Sequence, residues 1–246
     1  MYTTLPCRPT PHTPHTTHPH AQTTDIKLDN LVISADKRRL KICDFGSALL
    51  SHEIPSCRET DQLASRFYRA PEIILGYTPS PRIDVWAAGC CLFELYSGTL
   101  PFMGDDNNGM LFQFMQVLGR FPKKVLTRSR HVARHFDVDG GYNFACNEQD
   151  GAFVKTSAFG KRSLSSELLP PKDRKKMLSN PQLRTHVQKV DDLTDLLLNH
   201  LFVMDAERRS GSKAALKHGF FARPKASNNK SGRGASQSRS MSSTRR

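Results

Sequence analysis

Two short runs near the front of this 246-residue chain have the residue types and spacing to move a phosphoryl group. The first is Asp25-Ile26-Lys27-Leu28-Asp29-Asn30, and the second is Asp44-Phe45-Gly46. An attacking hydroxyl needs a nearby carboxylate to orient it and accept its proton, and Asp25 is the candidate. The transferring group is negatively charged, and Lys27 could neutralise it. Magnesium prefers hard oxygen ligands, which the Asn30 amide and the Asp44 carboxylate could supply to one ion. Gly46 lets the chain turn sharply after Asp44. Taken singly, each residue has a plainer reading. Asp25 could be a helix cap, Asp44 a turn residue and Lys27 a solvated charge. Their joint order, followed by Arg66-Phe67-Tyr68-Arg69-Ala70-Pro71-Glu72, outweighs those readings.

The elements that must position these residues can be read from apolar patterning. Leu31-Val32-Ile33 and Leu40-Lys41-Ile42-Cys43 are β-prone runs separated by the charged stretch Ser34–Arg39, which predicts a hairpin between Asn30 and Asp44. Residues Ile83–Ser97 are apolar on nearly every side, as in a central buried helix, and Gly98 suits its C-terminus. Met110–Leu118 predicts a second helix, Asp191–Met204 an amphipathic one and Ser212–His218 a short last one. The expected class is mainly α, with some β: a helical body carrying a small β-hairpin.

The flanks differ from this body. Residues 1–24 are rich in Thr, Pro and His, and are expected to be low-complexity and disordered. His12, His15, His18 and His20 are broken up by prolines, so they do not read as a metal site. Residues 223–246 contain seven of the 36 Lys and Arg and no acid, so part of the formal net charge of +13 belongs to this tail. No aromatic residue follows Phe221, so a solvated basic tail is preferred and direct nucleic-acid binding is not expected. The folded domain is therefore expected over 25–222. The six cysteines form no CxxC pair, which suits reduced thiols and a nuclear or cytoplasmic protein. No run is long and apolar enough for a membrane helix, and the opening residues do not read as a secretory signal.

The combination DxKxxN, DFG and APE resembles the eukaryotic protein kinase family, over about Asp25 to Phe221. Lys27 is similar to the serine/threonine branch. Ser65–Glu72 resembles the group containing the cyclin-dependent, MAP and glycogen-synthase kinases. DIKLDNLV, LKICDFGSA and SRFYRAPEIILG are most similar to the splicing-associated pre-mRNA processing factor four kinases. The resemblance implies the C-terminal helical lobe of the kinase fold, ATP and magnesium as cofactors, a protein substrate and splicing-related partners. It also implies structural roles. Asp84 would anchor the catalytic-loop backbone, or cap its helix, or both. Glu72 would pair with a buried arginine, Arg209 in preference to Arg208.

This chain departs from the family pattern in several places. Thr23 and Thr24 stand where a His and an Arg or small residue usually precede the Asp, so the histidine anchor of the loop is displaced or lost. Leu28 replaces a usual Pro. Gln62 stands where related kinases carry a phosphorylatable Tyr, leaving Thr60 and Ser65 as candidate phosphosites. Residues 1–24 contain no Gly and are too few to build an ATP-gripping front lobe. The expectation is a serine/threonine kinase fragment with weak or no ATP binding on its own, or alternatively an inactive kinase-like docking module.

Overall fold

The computed structural model describes residues 21–50, 63–145, 153–154 and 159–222. The His-rich segment, Thr60, Gln62, Cys7, Cys57, Cys146 and the basic tail lie outside the described residues.

The chain enters through strand β1 (Ala21–Gln22) and a 3₁₀ turn (Leu28–Asn30), then forms the β2 (Leu31–Ile33) and β3 (Leu40–Ile42) hairpin. The hairpin register pairs Leu31 with Ile42 and Ile33 with Leu40. Strand β4 (Leu49–Leu50) returns to pair with β1 in antiparallel fashion. The described structure thus includes Ala21–Thr24, ahead of the boundary at residue 25 read from composition. Gln22 and Thr24 are buried, so this short stretch belongs to the body although its residues are polar.

Helix α1 (Pro71–Ile74) starts with Pro at N1, where the missing N–H costs nothing. Helix α2 (Arg82–Ser97) follows, buried over much of its circumference. Gly98 closes it in the left-handed conformation at φ 74°, donating to the Glu94 carbonyl at 2.8 Å. Trp86 of α2 is fully buried and packs on Phe102, Phe114 and Phe202, with centroids 5.5, 4.9 and 5.0 Å away. Helix α3 (Asn107–Leu118) contributes Phe114 and is capped by Asp106, which accepts from Gly109 N.

Beyond α3 lie α4 (Lys123–Thr127), α5 (Val132–His135) and a three-stranded antiparallel sheet of β5 (Phe136–Asp137), β6 (Asn143–Ala145) and β7 (Phe153–Val154). Helices α6 (Leu164–Leu168) and α7 (Pro171–Ser179) lead into α8 (Arg184–Leu196). These elements, from α4 to α7, are short and lack clear periodicity, so patterning did not expose them. The long helix expected over Asp191–Met204 instead begins at Arg184 and ends in a π turn (Leu197–Leu201). At Gly89 of α2 a Cβ would meet Phe202 Cε1 at 2.8 Å, so glycine permits the close approach of α2 to the end of that turn. A short helix, α9 (Ser212–Ala215), and a 3₁₀ turn (Gly219–Phe221) complete the body. Among the described residues no helix is long and apolar enough to cross a membrane.

One ion pair ties the start of this body to its end. Arg209 is fully buried, and its NH1 and NH2 donate to the Glu72 oxygens at 2.6 and 2.8 Å. NH1 also reaches Arg82 O at 2.9 Å, while Nε and NH2 reach Val203 O at 3.1 and 2.9 Å. All five guanidinium N–H groups are therefore used. The guanidinium also lies over the Trp86 ring, 5.0 Å from its centroid. Arg208, its neighbour, is exposed.

Two predictions follow from this packing. Glu72→Ala strands a buried guanidinium and should cost about 3–5 kcal/mol in urea unfolding, whereas Glu72→Leu with Arg209→Met should recover much of the loss. His135 is buried and in contact with Asn108 Oδ1. Burial pushes its pKa down from 6.5 to about 4. Between those values the unfolded chain holds one more proton, so stability falls as pH drops from 6.5 towards 4. This loss is roughly 3 kcal/mol at its limit and should be absent in His135→Gln, as measured by unfolding at a series of pH values.

Candidate active site

The loop between β1 and β2 carries Asp25, Lys27 and Asn30, and three contacts hold it from below. Asp84, in the first turn of α2, accepts from Thr23 N at 3.0 Å, Thr24 N at 3.1 Å and Thr23 Oγ1 at 3.3 Å. Burial raises the Asp84 pKa, and the three donors only partly oppose it. The N-cap of α2 is Pro81, so the Asp84 carboxylate is turned to the loop and not to its own helix end. Thr24 takes φ 57°, an uncommon conformation for a β-branched residue, and its hydroxyl is tied to Ser47 O at 2.5 Å. The threonine pair standing in the His position thus supplies anchors of its own.

Asp25 is the centre of a four-donor cluster. Its Oδ1 accepts from Ser65 N at 3.0 Å and Ser65 Oγ at 2.7 Å. Its Oδ2 receives Lys27 Nζ at 2.8 Å and Asn30 Nδ2 at 3.1 Å. Burial alone would raise the Asp25 pKa. Hydrogen bonds from Lys27 and Ser65 outweigh it and hold the carboxyl below its usual 3.8. Lys27 gains in return: its bond to Asp25 raises its pKa over the opposing effect of burial, with Asp29 and Asp44 adding to the pull. Both groups are fully charged near neutral pH.

Asp44 approaches from the other arm of the hairpin. Cys43 N donates to Asn30 O at 2.9 Å, so the two candidate oxygen donors flank one ladder position. Asp44 sits at φ 57°, which Asp tolerates better than most residues, and its Oδ1 accepts from Gly46 N at 3.2 Å. The amide nitrogen of Asn30 is spent on Asp25 O, at 2.9 Å, and Asp25 Oδ2, which leaves Asn30 Oδ1 as an acceptor. An amide oxygen and an exposed carboxylate, one at each end of the hairpin, are ligand types that suit a hard divalent cation.

From sequence, Ser65 is the first residue of the Ser65–Glu72 motif and a modification candidate; in the structure its hydroxyl links Asp25 to Lys27, which it meets at 3.0 Å. Arg69 holds the segment in place, donating to Leu63 O and Ala64 O at 3.0 Å and to Asn107 Oδ1 at 3.1 Å. A hydroxyl residue leading directly into Arg66–Glu72 was the available signal. Glu72 and Arg209 lie behind this segment and form the buried pair described above.

Removing the Ser65 hydroxyl should therefore act on Asp25. In Ser65→Ala the Asp25 pKa should move up in a carbon-detected NMR titration, and Ser65→Thr should leave it close to the parent value.

A sequence profile of the protein kinase domain matches residues 18–221. The serine/threonine-protein kinase prp4 of Schizosaccharomyces pombe is 40% identical over 199 residues, which are 80% of this chain and 40% of that protein. The serine/threonine-protein kinase prpf4B of Dictyostelium discoideum is 37% identical over 199 residues, 80% of this chain and 23% of that protein. The dual specificity tyrosine-phosphorylation-regulated kinase mbk-2 of Caenorhabditis elegans is 32% identical over 207 residues, 81% of this chain and 23% of that protein. The chain thus spans less than half the length of each of these relatives. With the Asp25 cluster, the hairpin and the Glu72–Arg209 pair all inside the matched span, the chain belongs to the protein kinase domain family.

Proposed function

We propose that this chain carries the helical, hydroxyl-activating half of a serine/threonine protein kinase. The carrying observation is the Ser65 hydroxyl seated on Asp25 beside Lys27. It is a working example of how a substrate Ser or Thr hydroxyl would be received.

In this reading Asp25 orients the incoming hydroxyl and accepts its proton as the bond to phosphorus forms. Its depressed pKa keeps it ionised, so orientation is its larger contribution. Lys27, charged and already beside Asp25, offsets negative charge on the group in transfer. Asn30 and Asp44 would hold magnesium, which when bound supplies charge neutralisation on the phosphates of ATP. Asp84 positions the loop through the backbone of Thr23 and Thr24. The likeness to prp4-type kinases extends the proposal to protein substrates and splicing-related partners.

A second reading, an inactive docking module, also has an observation in its favour. Val32, Ile33, Leu40 and Phe45 on the hairpin side of the site are each more than half exposed. Exposed apolar side chains gathered on one short hairpin and the turn after it suit a surface that another protein element covers. Under the first reading that element completes the nucleotide site; under the second it is simply a partner.

Calorimetry with ATP and magnesium separates the two. The kinase reading expects magnesium-dependent ATP binding that Asp44→Ala loses by at least tenfold. Absence of binding at millimolar ATP, or binding indifferent to Asp44→Ala, would leave the docking reading.

A further inference from the structure

Outside the catalytic cluster, three metal-ligating side chains converge where α8 gives way to the π turn. One ligand atom each from Asp195, His200 and His218 lies within 4.8 Å of the other two. The backbone brings this about. Asp195 and His200 are five residues apart, which in an α-helix would put them about 140° apart around the axis. Bonding of the i to i+5 type, here Phe202 N to Leu197 O at 2.7 Å, stacks them on one face instead. Such turns within helices are frequent at functional sites.

The three groups are also oriented. Asn199 Nδ2 donates to Asp195 Oδ1 at 2.6 Å, steadying the carboxylate. His218 Nε2 meets Asp195 Oδ2 at 2.7 Å, and the two imidazole rings stand 5.0 Å apart. His200 Nδ1 lies 2.9 Å from Ser210 Oγ. With its proton on Nδ1 for that contact, His200 keeps a free lone pair on Nε2. A partner that orients the ring in this way is the usual support of a histidine ligand.

We propose that Asp195, His200 and His218 form a binding site for a divalent transition metal of the zinc class. Two imidazoles and one carboxylate suit zinc, while magnesium and calcium prefer all-oxygen sets. Three protein ligands leave a fourth position for water. The metal takes the place on His218 Nε2 of the proton now shared with Asp195. That proton moves to Nδ1, and Phe220 N, which donates there at 3.1 Å, turns to water from its half-exposed turn. The bound ion would clip the end of α8 to the last turn of the body, just before the chain enters residues 223–246. Its binding does not depend on catalysis.

The test uses the full chain with His12, His15, His18 and His20 changed to Ser, so that the His-rich segment contributes nothing. Thermal unfolding is followed with and without zinc chloride, and cobalt chloride reports the site by visible absorption. Saturating zinc should raise the melting temperature by about 5 °C or more, and one equivalent of cobalt should give the absorption band. Asp195→Asn and His200→Asn should each abolish both signals. Circular dichroism checks that each variant folds, and either folded variant suffices to decide. No zinc shift, a shift that both variants retain, or an equal shift with magnesium chloride would overturn the proposal.

Discussion

The rest of the structure depends on burying one arginine. Arg209 has no exposed surface, and a guanidinium taken out of water is costly unless every donor is met. Here the donors are met by groups from three places: the Glu72 carboxylate in α1, the Arg82 carbonyl at the start of α2, and the Val203 carbonyl after the π turn. Each must be in position for the others to be satisfied. The pair therefore fixes where the segment leading to α1 can lie relative to α2, and so where Ser65 arrives. Trp86 beneath the guanidinium links the same constraint to the aromatic cluster.

The Asp25 cluster is held in the same way, by buried or half-buried acceptors reaching across the sequence. Asp84 is a carboxylate whose burial opposes its charge, kept in place by backbone N–H donors from a loop that precedes it by some sixty residues. That loop and the turn that follows β3 each contain a left-handed, non-glycine position, at Thr24 and Asp44. Conformations of this kind cost energy and persist where the surroundings over-determine them. The strain thus sits on either side of the proposed reaction centre, with Asp84 and Ser47 paying for it on one side. Gln22 adds a further local cost: it is fully buried in β1, and neither side-chain amide atom finds a partner among the described residues.

At the far end, the chain's last elements are organised by a change of helical pitch. The π turn after α8 brings Leu201 and Phe202 against Gly89 of α2, which is a packing role. It also brings His200 to Asp195. Periodicity of 3.6 assigns these two residues to different faces, so a helix-wheel reading of Asp191–Met204 separates what the fold joins.

The sequence by itself determined the chemistry-bearing types and the local frame. The hairpin between Asn30 and Asp44 and the buried helix ending at Gly98 were legible because turn chemistry, apolar density and left-handed glycine act within a few residues, whereas the Glu72–Arg209 partnership was implied only by the resemblance to the kinase family. Tertiary structure alone decided the rest. It decided that Ser65 sits on Asp25, that of the roles left open to Asp84 it takes the loop and not its own helix end, that Ala21–Thr24 are folded despite their composition, and that short helices and a small sheet occur among the described residues between Lys123 and Ser179. The physical reason is common to all four. Each depends on hydrogen bonds or packing between residues far apart in the chain, whose free energy is realised only when the whole body closes around them, and local propensity carries no trace of it.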